Sequence, residues 1–235
     1  IGGLIGGEAK KMEAYRASTE KPLCGSVISK AIGYAMGVLE VNASMGLIVA
    51  APTAGSSGVI PGAFVALQEE YGFTDDQMVR ALFNAGAIGY LITRNATVAG
   101  AEGGCQAEVG AASAMAASAA VELMGGTPEQ CMSAAGTAII KMLMTAGAKD
   151  IIAVDQFGTL YKGCNSAEAH KNWLGEVTNP RQVKGGLKEA LEGADVFIGV
   201  SKPGILTTEL CKTMNKDAIV FAMANPTPEI MPDEA

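Results

Sequence analysis

The sequence predicts a mixed fold, in which an all-α N-terminal part is followed by a doubly wound α/β part. Before about residue 135, apolar residues recur at helical spacing between Gly-rich segments. After about residue 145, short apolar stretches at 150–155, 195–200 and 218–222 alternate with helical segments, the pattern of a parallel sheet. Hydrophobic residues make up 49% of the chain and charged residues 17%, which excludes a disordered protein.

Helix signals divide the first part into separate elements. Residues 22–39 place apolar side chains on one face. Thr74 and Gln77 have the spacing of a capping box, which predicts a helix start. Thr127, followed by a proline at the first helical position, predicts another start.

The second part is expected to alternate strands with short helices. Residues 187–192 and 207–214 have helical patterns, and Thr207 is the expected N-cap of the later one. These helices separate the three predicted strands, so consecutive strands are expected to run parallel.

Composition and charge exclude several classes of partner and location. The net charge is −7 with no basic stripe, so no nucleic-acid partner is expected. No apolar run reaches the roughly 18 residues of a membrane span, and the first residues lack a signal-peptide pattern and resemble the inside of a longer chain. The five cysteines lack CxxC spacing, which predicts a cytoplasmic protein with free or metal-bound thiols.

A loop of small and hydroxyl residues at 52–58 is the first candidate site. Its sequence, PTAGSSG, contains Thr53, Ser56 and Ser57. Such a loop can expose backbone N–H groups as a nest for a carboxylate or phosphate. The alternative is a simple turn between two helices. Asn42, beside this Gly-rich stretch, either orients a substrate or forms a turn.

Cys105 follows two glycines in the segment GGCQAE. At the start of a helix, a cysteine experiences the positive end of the helix dipole, which favours the thiolate that ligates iron. The alternative is a small buried apolar residue.

Five segments of the first part, from about residue 3 to 134, resemble the catalytic alpha domain of bacterial iron–sulfur L-serine dehydratases. They are GLIGGEAKKMEAY, GSVISKAIGYAMGVLEVNASMG, APTAGSSGVIPG, NAGAIGYLITRNATVAGAEGGCQAEVG and GGTPEQC. The resemblance implies an all-helical domain that converts L-serine to pyruvate and ammonia. It also implies a [4Fe–4S] cluster whose open iron acts as a Lewis acid on the leaving hydroxyl.

The resemblance assigns roles to particular residues. The loop 52–58, with Thr53, Ser56 and Ser57, corresponds to a cradle for the substrate carboxylate, and Cys105 to a cluster ligand. Glu8 stands where the family has an aspartate near the substrate. The family's further cluster cysteines lie in a segment without a counterpart here, so no stable cluster is expected.

Loops after the strands form a second candidate site. Residues 199–204 and 224–228 follow strands at the same predicted sheet edge, where open α/β sheets bind ligands. Asp155 ends the first strand, a position from which an acid commonly binds the ribose of adenosine.

Residues from about 135 to 235 resemble the NAD(P)-binding domain of bacterial malic enzymes. The segments are AAGTAIIKMLMTAGAKDIIAVDQFG, LKEALEGADVFIGVSKPGILT and FAMANPTPEIMPDEA. The resemblance implies oxidative decarboxylation of malate, with NAD(P) as cofactor. It places Asp155, Ser201, Gly204 and Asn225 at cofactor positions.

That resemblance also shows what the second part lacks. The first strand and the GxGAAG phosphate turn have no counterpart, so we expect a truncated, Rossmann-like part that binds the dinucleotide weakly or not at all. By resemblance, 150–155 is strand 2 and 195–200 is strand 4. With strand 1 missing, direct pairing of these two segments is expected, because unpaired backbone groups are costly.

The sequence therefore predicts a chimera of two incomplete domains, 1–134 and 135–235, joined within one helix over about 128–146. Three hypotheses follow: an L-serine ammonia-lyase alpha-chain fragment that is inactive alone, a malic enzyme fragment, and a chain without activity. The expected partners are a small molecule, L-serine or malate, and further chains in a homo- or hetero-oligomer. No membrane partner is expected.

Overall fold

The chain folds into two compact units, residues 1–139 and 140–235. The structure, a computed structural model, describes residues 6–95, 97–145, 147–199, 201–222 and 227–235. Within these ranges, no helix is both long enough and apolar enough to cross a membrane. The assignment of 1–134 and 135–235 to two families' domains stays a prediction.

The first unit is built from helices. They are α1 (Glu8–Ser18), α2 (Gly25–Ala43), α3 (Val59–Tyr71), α4 (Asp75–Asn95), α5 (Gly100–Leu123) and α6 (Pro128–Thr145), the last of which continues past residue 139. The all-α character predicted for the N-terminal part is confirmed.

The core of the first unit lies between α3, α4 and α5. It combines a few large side chains with many alanines, so the helices approach closely without aromatic packing. The largest buried members are Ile60, Phe64, Met78, Ile88 and Met115.

Two glycines, one immediately before α3 and one within it, allow α3 to lie directly against α2. A Cβ atom at Gly58 would lie 2.6 Å from the carbonyl oxygen of Ala35, and one at Gly62 would lie 2.7 Å from that of Ala31. Both values are far below van der Waals contact, and both neighbours are backbone atoms that cannot move aside. The close approach of the two helices therefore requires glycine at these positions, and it fixes the loop that precedes α3.

The predicted helix starts are confirmed. Thr74 N–H donates to Gln77 Oε1 at 2.9 Å, and Gln77 N–H donates to Thr74 Oγ1 at 3.3 Å. The Thr127 Oγ1 atom accepts from the N–H of Gln130 at 3.4 Å. The helix predicted through the join is also observed, since α6 is continuous to Thr145; residue 146 lies outside the described residues.

The second unit contains short strands and helices. They are β1 (Val154–Asp155), β2 (Gly158–Thr159), α7 (Ala169–Val177), α8 (Leu187–Leu191), β3 (Val196–Gly199), α9 (Thr208–Cys211) and β4 (Ile219–Ala222). β3 and β4 pair in parallel, with Val196 opposite Ile219. Thr207 caps α9, as predicted. The parallel pair agrees with the predicted truncated α/β part.

The predicted pairing of residues 150–155 with 195–200 is wrong. β1 instead forms an antiparallel hairpin with β2. The backbone of the preceding residues is also satisfied locally, because the Ile151 carbonyl accepts from Asn179 N–H at 2.6 Å and the Ala153 carbonyl from Leu160 N–H at 2.8 Å. Local hydrogen bonds thus satisfy backbone groups of residues 151 and 153, which an adjacent strand would otherwise have paired.

Asn179 holds this local arrangement together. It is 0% exposed, and its Nδ2 donates to the carbonyls of Leu160 at 3.0 Å and Val183 at 2.8 Å. Its Oδ1 accepts from the Val183 N–H at 2.8 Å. A fully bonded, buried amide fixes the course of the chain around β2.

The glycine contact between α2 and α3 predicts the outcome of a matched pair of substitutions. Gly62→Ala places a methyl group against the Ala31 carbonyl, so we expect a loss of about 1–3 kcal/mol in the free energy of unfolding. Gly86→Ala, in the exposed middle of α4 with no atom within 4 Å, is expected to stabilise by about 0.5–1 kcal/mol. Urea unfolding of both variants measures the difference, and equal effects would contradict the close approach.

Candidate active site

The loop 52–58 is the last part of the segment 44–58 between α2 and α3, and it is shaped by its own hydroxyl groups. Ser56 and Ser57 are buried, at 1% and 2% exposure. Ser57 Oγ donates to the Ala54 carbonyl at 2.7 Å, and the hydroxyls of Thr53 and Ser56 lie 3.1 Å apart. These side chains therefore fold the loop and are not directed at solvent.

The backbone of the same loop remains available for a ligand. Among the residues that the structure describes, no acceptor takes the N–H of Ala54, Gly55 or Ser56. Ala54 and Gly55 are exposed. Consecutive unengaged N–H groups are the donors that an anion-binding nest requires.

Asn42 ties the end of α2 to this loop. Its Nδ2 donates to the Ala54 carbonyl at 3.1 Å. A side-chain bond to the middle of the loop holds its backbone in one conformation. Asn42 lies in the last turn of α2, so the alternative of a turn-forming asparagine is wrong. Its contact with a substrate stays a prediction.

Glu108 lies directly against the loop. A Cβ atom at Gly55 would lie 2.7 Å from its Oε2, and one at Gly100 would lie 2.7 Å from its Cδ. The carboxylate thus occupies space that two glycines leave open, between the loop and the start of α5. Sequence reasoning missed Glu108, although it belongs to the same GGCQAE segment as Cys105.

Cys105 follows a break within α5. Gly104 has φ 78° and ψ 172°, outside the helical range, and helical geometry resumes after it. The Cys105 thiol is free and exposed, so the alternative of a small buried residue is wrong. Cys105 and Glu108 are three residues apart on one helix and therefore lie on the same face.

The described residues do not fit a [4Fe–4S] cluster. Such a cluster requires several cysteine thiolates around it. Across the ranges that the structure describes, no group of three or more His, Cys, Asp or Glu side chains is arranged to hold a metal. Cys105 alone matches a family ligand, and the remaining ligands would have to come from elsewhere.

Glu8, at the start of α1, lies beside a second carboxylate on α2. Glu40 is 6% exposed, and its Oε1 accepts from the Ala9 N–H at 2.9 Å. This bond is the main reason that the pKa of Glu40 lies below its ordinary value, and the nearby backbone N–H groups of Gly7 and Glu8 act in the same direction. The Glu8 Oε2 is buried without a hydrogen-bond partner among the described residues.

Glu40 therefore anchors the segment that presents Glu8. Its negative charge meets the first N–H groups of α1, where the helix dipole is positive. Nothing in the sequence pattern distinguished Glu40 from other helical glutamates, because its partner lies 31 residues away.

In the second unit, Asp155 already has partners at both oxygens. Oδ1 accepts from the Phe157 N–H at 2.8 Å, and Oδ2 lies 2.9 Å from the Lys171 Nζ. Burial alone would lower the pKa of Lys171, but its bonds to Glu168 and Asp155 outweigh burial and raise it. A ribose hydroxyl would have to compete with this ion pair.

Ser201 is likewise engaged. Its N–H and Oγ donate to Glu229 Oε1 at 2.8 and 3.1 Å, and Glu229 is 0% exposed. Gly204, with φ 71°, borders an open cavity of about 490 Å³ that Glu229 also lines. Asn225, the remaining predicted cofactor residue, lies outside the described residues.

These residues do not fit a bound dinucleotide. Asp155 belongs to the β1–β2 hairpin, whereas Ser201 follows the separate β3–β4 pair. In a dinucleotide-binding fold, both lie at the edge of one parallel sheet, next to a glycine turn for the pyrophosphate. In the described part of the second unit, Asp155 and Ser201 therefore do not lie at the edge of one sheet, as the resemblance to an NAD(P)-binding domain had implied.

The helical unit combines a hydroxyl-rich loop with an adjoining helix that carries an exposed cysteine. The chain belongs to the serine dehydratase alpha chain family, which matches residues 1–144. A Bacillus subtilis protein described as "Probable L-serine dehydratase, alpha chain" is 52% identical over 141 residues, covering 60% of this chain and 47% of that protein. The chain spans about half the length of the curated relatives it matches.

The C-terminal region is similar to a different family. The bifunctional malic/malolactic enzyme of Bacillus subtilis is 50% identical over 103 residues, which cover 43% of this chain and 25% of that enzyme. The structure of an NAD-dependent malic enzyme from Thermotoga maritima matches 43% of this chain and 27% of its own, with 42% identity and a TM-score of 0.41. The predicted resemblance to two families is confirmed.

The anchoring of α1 by Glu40 predicts a specific pH dependence of stability. A group whose folded pKa is lowered stabilises the fold above its unfolded pKa, near 4.3, and that contribution disappears as pH falls through the folded pKa. Glu40→Gln should therefore be less stable than wild type at neutral pH, and the difference should shrink below about pH 4.

Urea unfolding at several pH values measures this difference. Glu20→Gln, a change of the same size at an exposed side chain, is expected to unfold like wild type throughout. A constant gap between Glu40→Gln and wild type would show that the Glu40 charge does not act through the N–H groups of α1.

Proposed function

We propose that the first unit is the amino-acid-binding part of an L-serine ammonia-lyase alpha chain. In this proposal the loop 52–58 binds the carboxylate of L-serine. The unit forms pyruvate and ammonia only where other protein supplies the missing cluster ligands. Alone, the chain binds the amino acid and does not turn it over.

The observation that supports this proposal is the set of backbone donors in the loop. The N–H groups of Ala54, Gly55 and Ser56 take no acceptor among the described residues. Hydrogen bonds from such donors to a carboxylate are charge-assisted and need no basic side chain. An acidic chain can therefore bind an anionic group at this loop.

The hydroxyl groups give the loop its rigidity. Thr53, Ser56 and Ser57 bond to one another or to loop carbonyls, and Asn42 bonds to Ala54. A cradle that is already folded does not have to be ordered when the ligand binds, which improves affinity. We assign these four residues to positioning of the cradle.

Elimination of water from serine requires a base for the α-proton and a group that assists departure of the hydroxide. Glu8 is the family-derived candidate near the substrate, and Glu40 holds it in place. The second requirement is unmet in this chain, because Cys105 is the single matching cluster ligand and the described residues offer no further metal-binding group. The unit thus has a candidate base but no group that assists departure of the hydroxide, and for this reason we propose that it binds serine without turning it over.

A malic enzyme fragment is the second candidate, favoured by the parallel pairing of β3 with β4 and the ordered loop after β3. Ser201 is held by the buried Glu229, and Gly204 borders the adjacent cavity. Such a loop is a remnant of a nucleotide site. Oxidation of malate is not proposed, since the residues for the pyrophosphate are missing.

The proposal predicts that anaerobic reconstitution with iron and sulfide gives no stable cluster and that added L-serine yields no pyruvate. One thiolate cannot replace the several that hold a cubane. Iron and sulfide analysis of wild type and of Cys105→Ala should give the same low content. Near four irons per chain in wild type, lost in Cys105→Ala, would contradict the proposal.

The second unit is expected to bind NAD and NADP weakly or not at all. Two or three charge-assisted amide contacts to the pyrophosphate are missing, each worth roughly 1.5–3 kcal/mol. Calorimetric titration of the whole chain with each dinucleotide measures the affinity. A dissociation constant in the low micromolar range would overturn this expectation and favour the malic enzyme fragment.

A further inference from the structure

Glu108 has an environment unlike that of the other glutamates near the loop. Cβ atoms at Gly55 and Gly100 would lie 2.7 and 2.8 Å from its Oε2. The carboxylate is therefore enclosed on two sides by backbone without side chains. A residue larger than glycine at either position would displace it.

The negative charge of Glu108 has no partner within the described parts of the chain. No hydrogen bond or ion pair there involves its carboxylate, whereas Glu40 binds a helix N-terminus and Glu70 binds Lys30. Glu108 is half-buried. Its oxygens are not among the buried atoms without a partner, so they remain open to solvent and can bind a cation directly.

The position of Glu108 beside Gly55 indicates which cation it binds. In an α-amino acid, the ammonium and carboxylate groups are attached to the same carbon atom. If the loop N–H groups hold the carboxylate, the ammonium group must lie immediately next to the loop. Glu108 is the carboxylate in contact with that loop, and a metal ion there would find no group of three ligands among the described side chains.

We propose that Glu108 binds the α-ammonium group of the amino acid whose carboxylate lies in the loop 52–58. The inference rests on the proposed function and adds the residue that distinguishes an amino acid from a hydroxy acid.

The test compares two ligands and two variants of the whole chain. L-serine carries the ammonium group, and 3-hydroxypropanoate is the same molecule without it. Glu108→Gln removes the charge and keeps the shape. Glu122→Gln makes the same change at a half-buried glutamate on the same helix and is the matched control. Affinities are measured by NMR titration.

The inference predicts that Glu108→Gln weakens L-serine binding by roughly tenfold to a hundredfold, the loss of one charge-assisted hydrogen bond. Binding of 3-hydroxypropanoate should not weaken, and Glu122→Gln should behave as wild type. Equal weakening of both ligands, or no change for L-serine, overturns the role of Glu108 while the proposed function stands. A wild-type chain that binds neither ligand overturns the proposed function itself.

Discussion

The close approach of α3 to α2 is the constraint on which the proposed site depends. Gly58 and Gly62 bring the two helices together at distances that no side chain permits. The loop 52–58 leads directly into α3, so the helix contact at Gly58 sets the position of its C-terminal end. Asn42 adds a second attachment in the middle of the loop. Because the backbone is held in this way, its N–H groups stay unengaged and keep a fixed direction.

The first unit also places carboxylates at two separate contacts: Glu8 and Glu40 where α1 meets α2, and Glu108 against the loop 52–58. Glu40 neutralises the start of α1 and holds the segment of Glu8. Glu108, three residues after Cys105 on α5, lies against Gly55 of the loop. The unit thus combines backbone donors with carboxylates, which together match the two charges of a zwitterionic amino acid. The second unit shows the opposite situation, because Asp155 and Ser201 are already bonded to other side chains.

Local signals in the sequence were sufficient for much of the fold. The caps at Thr74, Thr127 and Thr207 depend on residues three positions away, and the continuous α6 follows from helical spacing alone. The loop and Cys105 were identified from their composition. Long-range partners were not accessible in this way: the hydrogen bond of Glu40 to α1 and the close approach of Glu108 to the loop join segments far apart in the chain. The error at residues 150–155 has the same origin, since Asn179 supplies backbone partners that strand spacing does not reveal.

We propose one amino-acid site in the first unit, formed by the loop 52–58 and the helix of Cys105 and Glu108. Backbone amide shifts of the whole chain, followed by NMR during titration with L-serine, test this claim most directly. The account predicts saturable shift changes at Ala54, Gly55 and Ser56 together with Cys105 and Glu108, and none at residues 201–204. Changes confined to the second unit, or changes in the loop without any near Cys105, would contradict it.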